Sequence, residues 1–357
     1  MSQIDRRKLV ASIALALGGA AMGPAAAQQG GSAPQPAPNP AANPASGFSH
    51  DDVLRRAREL ASAPLTAPPA LLEALAKIDQ GAWREIRFKA ERSLLGNNAN
   101  GGGAFRLQPW HLGGNYRQPV IVNTIRDGIA TPVPYAANLF DYGGTKFEKP
   151  LPVNTGFAGF RLTYPLNDPR NFEEAISFLG SCVFRFVARG QRSGASMRGL
   201  AVNLGGADEE TPFFREFWIE TPEPGADRII FHALLDGEAA TGAYRFELRP
   251  GVDSTLDVKL TLFARKTGVK LSFAPIISMF HHGEGDRRAK TDFKPEAHDS
   301  DGLLINASTG EWLWRPLRNP AQTEVSAFMG KDARGFGLMQ RDRNFDHYQD
   351  LELGYER

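Results

Sequence analysis

The feature that most constrains the fold is a hydrophobic period of two, repeated along much of the chain. Tyr244, Phe246 and Leu248 alternate with Arg245, Glu247 and Arg249. Leu256, Val258, Leu260 and Leu262 alternate with Asp257, Lys259 and Thr261, and Ile86, Phe88 and Ala90 with Glu85, Arg87 and Lys89. Successive side chains of a strand point to opposite faces, so each run reads as a strand with one face buried. Shorter runs at Phe105 and Leu107 and at Val120 and Val122 are closed by Gly, Pro or Asn. A content of 37 Gly, 25 Pro and 23 Phe suits many short strands joined by turns. The expected fold class is therefore all-β, a large antiparallel β-sandwich with a few short helices. Ser49 and Asp52 form a capping-box pattern ahead of a helical stripe through Val53, Leu54, Ala57, Leu60 and Ala61. A second short helix is expected over 69–78. Residues 168–179 read as a third, capped by Asn171 or Asp168.

Residues 1–27 read as an export signal outside the fold. Arg6-Arg7 precede an apolar run from Leu9 to Ala21, and Ala25-Ala26-Ala27 supplies small residues for a signal peptidase. Asp5 before the arginine pair and Lys8-Leu9 after it fit a twin-arginine signal. The apolar run is shorter than the about 20 residues of a bilayer span. No membrane anchor is thus expected after signal removal, and the expected location is the periplasm. Residues 28–47, rich in Pro, Ala and Asn, read as a disordered linker, which leaves 48–357 as one β-sandwich domain. Lys and Arg number 41 against 40 Asp and Glu, so no nucleic-acid partner is expected. Cys182 is the single cysteine, which rules out an intramolecular disulfide.

The most chemically loaded stretch runs from Lys294 to Leu317. His298, Asp299 and Asp301 precede a turn at Gly302, an apolar run covers 303–305, and the chain returns as Glu311-Trp312-Leu313-Trp314-Arg315. A period of two puts Trp312 and Trp314 on one strand face and Glu311, Leu313 and Arg315 on the other. Carboxylates beside flat aromatic rings suit a carbohydrate, whose apolar faces stack on rings and whose hydroxyls meet polar groups. A hairpin with turn aspartates and core tryptophans is the plainer alternative. His281-His282, Glu284, Asp286 and His298-Asp299 invite a metal, yet neighbouring strand histidines diverge and no zinc or EF-hand spacing is present. Neither a metal nor a cofactor is expected. Arg161, Arg185 and Arg198 each interrupt an apolar run. They mark either a wet sheet face or a cleft that hydrogen-bonds sugar hydroxyls.

Several segments carry a resemblance. GFAGFRLTYPLN (156–167), RGLAVN (198–203), FREFWIE (214–220), HALLDGEAATGAYRFELRPG (232–251), APIISMF (274–280), PEAHDSDGL (295–303), GEWLWRPLRNP (310–320) and GFGLMQRDRNFDHYQDL (335–351) are similar to the periplasmic osmoregulated glucan biosynthesis family, proteins G and D. The twin-arginine signal resembles the D member. The resemblance implies a galactose-mutarotase-like β-sandwich followed by a small immunoglobulin-like domain, the latter absent from this carboxyl-terminally truncated chain. It implies β-1,2-glucan as partner and action as an inverting endo-β-1,2-glucanase or remodelling enzyme. A non-catalytic glucan-binding or assembly protein is the alternative. The general base falls at Asp299, the general acid beyond Arg357, and Tyr355 near the proton path. Ser193, between Gly190 and Gly194, replaces an aromatic residue frequent in the relatives. Trp312, Trp314 and Trp218 are the candidates for stacking on glucan, and Arg315, Arg341, Arg185 and His298 for contacts to its hydroxyls.

Overall fold

The computed structural model describes residues 47–96, 103–180, 182–192, 195–285, 293–328, 330, 333–351 and 353–354. Among them, two six-stranded sheets form the bulk of the fold. The first sheet runs, in spatial order, Thr255–Ala264, Ala240–Arg249, Ile229–Asp236, Phe213–Glu220, Ile121–Arg126 and Ile129–Pro132. The second runs Ile276–Ile277, Ser196–Arg198, Val183–Phe186, Glu173–Leu179, Gly159–Tyr164 and Arg106–Trp110. Pairing is antiparallel except where Phe213–Glu220 lies parallel to Ile121–Arg126. A parallel pair needs a crossover. Here the chain crosses through four strands of the second sheet before it returns to the first.

Phenylalanine fills the space between the sheets. Phe160, Phe178 and Phe184 of the second sheet meet Phe214, Phe217, Phe231 and Phe246 of the first, all buried. Phe160 packs edge-on to Phe217 at 4.9 Å, while Phe231 stacks on Phe246 at 4.9 Å. Such offset and edge-to-face geometries add to the area each ring buries.

The helix His50–Ala61 covers the outer face of the first sheet. Asp52 accepts the Ser49 backbone N–H at 3.0 Å, as the capping pattern predicts. Val53 and Ala57 pack with Ile125, Trp218, Leu234 and Ala243, and Thr241 Oγ1 donates to the Ala57 carbonyl at 2.7 Å. This cover explains why Ala240–Arg249 is buried on both faces. A register shift between Phe214 and Glu216 makes Arg215 the extra residue. Its guanidinium reaches the fully buried Asp236, which Arg265 also binds. The bulge thereby supplies a counter-charge to a buried carboxylate on the helix-covered side of the sheet.

Two expectations need correction. Residues 168–179 are not helical: Glu173–Leu179 is an inner strand of the second sheet. Asp168, taken for a helix cap, accepts the Arg170 N–H at 2.9 Å in a tight turn, and long-range pairing decides the rest. The helix expected over 69–78 is only Glu73–Ala76. Asp79 starts another, Gln80–Glu85, by accepting the Ala82 N–H at 2.8 Å, so of the alternating run over 85–90 only Arg87–Phe88 forms a strand.

Candidate functional site

The strand row Gln108, Arg161, Ser177, Arg185 crosses the second sheet on the face opposite the phenylalanines. Polar residues at these positions leave that face open, and a cleft of about 770 Å³ lies over it. Arg161 stacks on Trp110, its guanidinium carbon 4.8 Å from the ring centre, and its Nε donates to Gln108 Oε1 at 2.8 Å. Burial lowers the pKa of this guanidinium. Trp110 Nε1 donates to Ser177 Oγ at 3.1 Å, which orients the indole. Trp83 and Tyr116 pack at 4.5 Å along the wall. Arg185 also lines the cleft, and its Nε donates to Glu174 Oε1 at 2.9 Å. Arg198 does not line it. Its side chain pairs with Glu209 at 2.8 Å.

The row continues across the edge of the sheet. Ser196 pairs with Ile277, two residues before Met279. Met279 and Asp299 are joined twice: the Asp299 N–H donates to the Met279 carbonyl at 2.9 Å, and the Met279 N–H donates to Asp299 Oδ2 at 3.1 Å. The half-buried Asp299 carboxylate thus sits at the end of the cleft's sheet. Beside it, Ala297–His298 pairs with Phe280–His282. His298 is buried, stacked on Phe280 at 5.2 Å, with Nε2 2.7 Å from Glu296 Oε2. It therefore braces the loop from inside, with Nδ1 buried and without a hydrogen-bond partner among the described residues. Glu296, His298 and Asp301 bring their polar atoms within 4.8 Å of one another, as do Glu296, Asp342 and His347. The hydrogen bonds His298–Glu296 and His347–Asp342 account for these groupings. His282 Nε2 lies 3.1 Å from the Lys294 carbonyl oxygen. Asp286 lies outside the described residues.

The hairpin read from the sequence is present. Gly302–Asn306 pairs with Trp312–Pro316 on one side and Gly335–Met339 on the other. Trp312 and Trp314 share a face, Trp312 being 62% exposed. The Trp314 ring lies over Gly302, where a Cβ would collide with the indole. Arg341 covers Trp314 at 5.3 Å, and Arg315 covers Phe328 at 5.1 Å. Asp301 Oδ2 accepts the backbone N–H groups of Arg341 and Asp342, which ties this segment to the hairpin.

Of the residues singled out in the sequence, Arg161 and Arg185 line the cleft. Asp299 borders its sheet, Trp312, Trp314 and Arg315 belong to the three-stranded sheet beyond, and Arg341 follows the last strand of that sheet. Trp218 is 3% exposed under the helix, stacked on Phe48 at 5.5 Å, so its ring is not available to a sugar. Tyr355 and Ser193 lie outside the described residues. Trp83, Arg84, Arg87, Trp110 and Tyr116 line the cleft yet were not singled out. The pair Gln108 and Trp110, two apart in one strand, was the available signal for a polar and aromatic face.

The two-sheet sandwich, with one outer face covered by a helix and the other open as an aromatic and arginine-lined cleft, defines the class: an all-β sandwich. The family described as "Periplasmic glucan biosynthesis protein, MdoG" matches residues 48–357, and the chain belongs to this family. Glucans biosynthesis protein G of Ralstonia nicotianae is 44% identical over 311 residues, 87% of this chain and 61% of the relative. The proteins of that name from Pseudomonas paraeruginosa and Shewanella frigidimarina are 41% and 42% identical, over 87% of this chain and 59% and 55% of theirs. The chain thus spans about three fifths of the length of the curated relatives it matches. Their names are those of protein G, whereas the D-like feature, the amino-terminal signal, lies outside the described residues. Among the described residues, no helix is long and apolar enough to cross a membrane.

Proposed function

We propose that this chain forms the glucan-binding sandwich of a periplasmic protein that acts on the β-1,2-glucan backbone as an inverting endo-glucanase or remodelling enzyme. The observation that carries this reading is the continuous strip from Trp110 and Arg161 across Arg185 and Ser196 to the Met279–Asp299 junction. An extended groove of rings and planar donors suits a sugar chain, whose rings stack and whose hydroxyls accept from guanidinium N–H groups. The family's description and the relatives' names supply the polymer class.

An inverting mechanism places a base and an acid roughly 6.5–9.5 Å apart, the base activating a water on the far face of the ring. Asp299 is the proposed base. Its Oδ2 is held by the Met279 amide, which fixes the carboxylate and leaves Oδ1 without a protein partner among the described residues. Substitution to Asn preserves the hydrogen-bonding shape but removes the basic oxygen. In a chain of the relatives' full length, reducing ends are released from linear β-1,2-glucan, and Asp299→Asn lowers that rate by about 10²-fold or more. Equal rates would remove Asp299 from the mechanism.

A binding or assembly role is the second reading. It draws support from the lining of the cleft, which contains no carboxylate. Binding of linear β-1,2-glucan by the same full-length protein with no product formed would favour it.

A further inference from the structure

The chain as a whole is almost neutral, 41 basic residues against 40 acidic. The cleft is not. Arg84, Arg87, Arg161 and Arg185 line it, and no Asp or Glu does. One carboxylate, Glu174 on the adjacent strand, pairs with Arg185 and also acts on Arg161. Arg84 and Arg87 are exposed on the wall and have no ion-pair partner among the described residues. Arg161 is half-buried, held by the neutral oxygen of Gln108 and the face of Trp110. A guanidinium carries five donors, and the single carboxylate of Glu174 is shared between the two floor guanidiniums, so the cleft with its four arginines keeps a net positive charge.

A neutral sugar chain does not need this arrangement, because hydroxyls are served as well by Asn, Gln or backbone groups. Four guanidiniums lining one cleft with aromatic walls are matched to a planar or tetrahedral anion carried on an apolar-faced ring. We propose that the cleft selects an acidic saccharide, a glucan whose sugar bears a carboxylate or phosphate ester, with Arg161 and Arg185 as the floor contacts and Arg84 and Arg87 as the rim that attracts it. This rests on the reading of the cleft as a glucan site. It adds that the preferred glucan is anionic.

The test is a calorimetric titration of the chain with three probes: a linear β-1,2-gluco-oligosaccharide, the same oligosaccharide carboxymethylated, and the same oligosaccharide carrying a phosphate monoester. Each is run at low salt and again near 0.5 M salt, with the Arg84→Gln/Arg87→Gln double variant and Arg185→Gln alongside. Arg84 and Arg87 are exposed, so their replacement leaves the fold unchanged, and thermal unfolding of each variant verifies this. Both acidic probes, or one of them, bind about tenfold tighter than the neutral one at low salt, an advantage that high salt and the arginine variants reduce. Which acidic probe gains more decides between carboxylate and phosphate.

Equal affinity for neutral and acidic probes at low salt overturns the inference and leaves the glucan site standing. An acidic preference that survives unchanged in both variants also overturns it, because the charge is then read elsewhere. If no probe binds at all, the glucan reading of the cleft falls with it.

Discussion

Ser177 and Phe178 are neighbours in one strand of the second sheet, and their replacement should have opposite consequences. Phe178 is 2% exposed and sits among Phe160, Phe184, Phe214, Phe217, Phe231 and Phe246, with ring centres between 4.9 and 5.6 Å away. Phe178→Ala removes a ring from the middle of the sandwich and leaves a cavity that six neighbours cannot collapse into. The expected loss is about 3–5 kcal/mol, a large part of the about 5–15 kcal/mol that holds a domain together. Ser177→Ala removes one hydroxyl, whose described role is to accept Trp110 Nε1. Its stability cost is about 0.5–1.5 kcal/mol. Its effect falls on the cleft, since Trp110 loses the contact that orients its ring under Arg161. Urea denaturation followed by tryptophan fluorescence measures the first effect, and titration with linear β-1,2-gluco-oligosaccharide the second. The prediction is a low unfolding midpoint for Phe178→Ala and weakened binding at near-normal stability for Ser177→Ala. A tolerated Phe178→Ala with an unfolded Ser177→Ala would mean that the two faces of this strand have been assigned the wrong way round.

Acid should loosen the amino-terminal helix. His50 Nδ1 meets His232 Nδ1 at 3.3 Å, and burial first, then His232, Lys259 and Arg245, lower the His50 pKa below its ordinary 6.5 against a weaker opposing pull from Asp51. A depressed histidine stabilises the fold above 6.5 and loses that contribution as pH falls from 6.5 toward the folded value. The urea midpoint should therefore drop between pH 7.5 and 5.5, and His50→Gln should flatten the profile. Gly302→Ala forces a Cβ into the Trp314 indole and should cost about 1–3 kcal/mol with a change in tryptophan emission. Asp301→Ala leaves the Arg341 and Asp342 amides without their acceptor, and hydrogen exchange at those two amides should quicken while the sandwich core stays protected.

The sandwich was legible because its strands alternate cleanly: Tyr244, Phe246 and Leu248 face the core as their period predicts, and the capping pattern at Ser49 places its helix correctly. Residues 168–179 were misread because Asp168 and Asn171 carry the same chemistry in a turn as at a helix cap, and only distant partners decide between them. Trp218 was misread for a related reason. The motif FREFWIE fixes a strand but cannot say that a helix almost 160 residues earlier will cover the tryptophan. The cleft was legible only through Arg161 and Arg185, because its aromatic walls come from Trp83, Trp110 and Tyr116, residues that only the sheet order brings together. The hairpin at 302–316 is local in sequence, and its two tryptophans were correctly placed on one face.

The measurement closest to the central claim is the affinity of this chain for a linear β-1,2-gluco-oligosaccharide, with and without Trp110. The account predicts saturable binding that Trp110→Ala weakens by about tenfold while the unfolding midpoint changes little. Binding of undiminished strength in Trp110→Ala, in a variant verified as folded, would contradict a glucan site on this face of the sandwich.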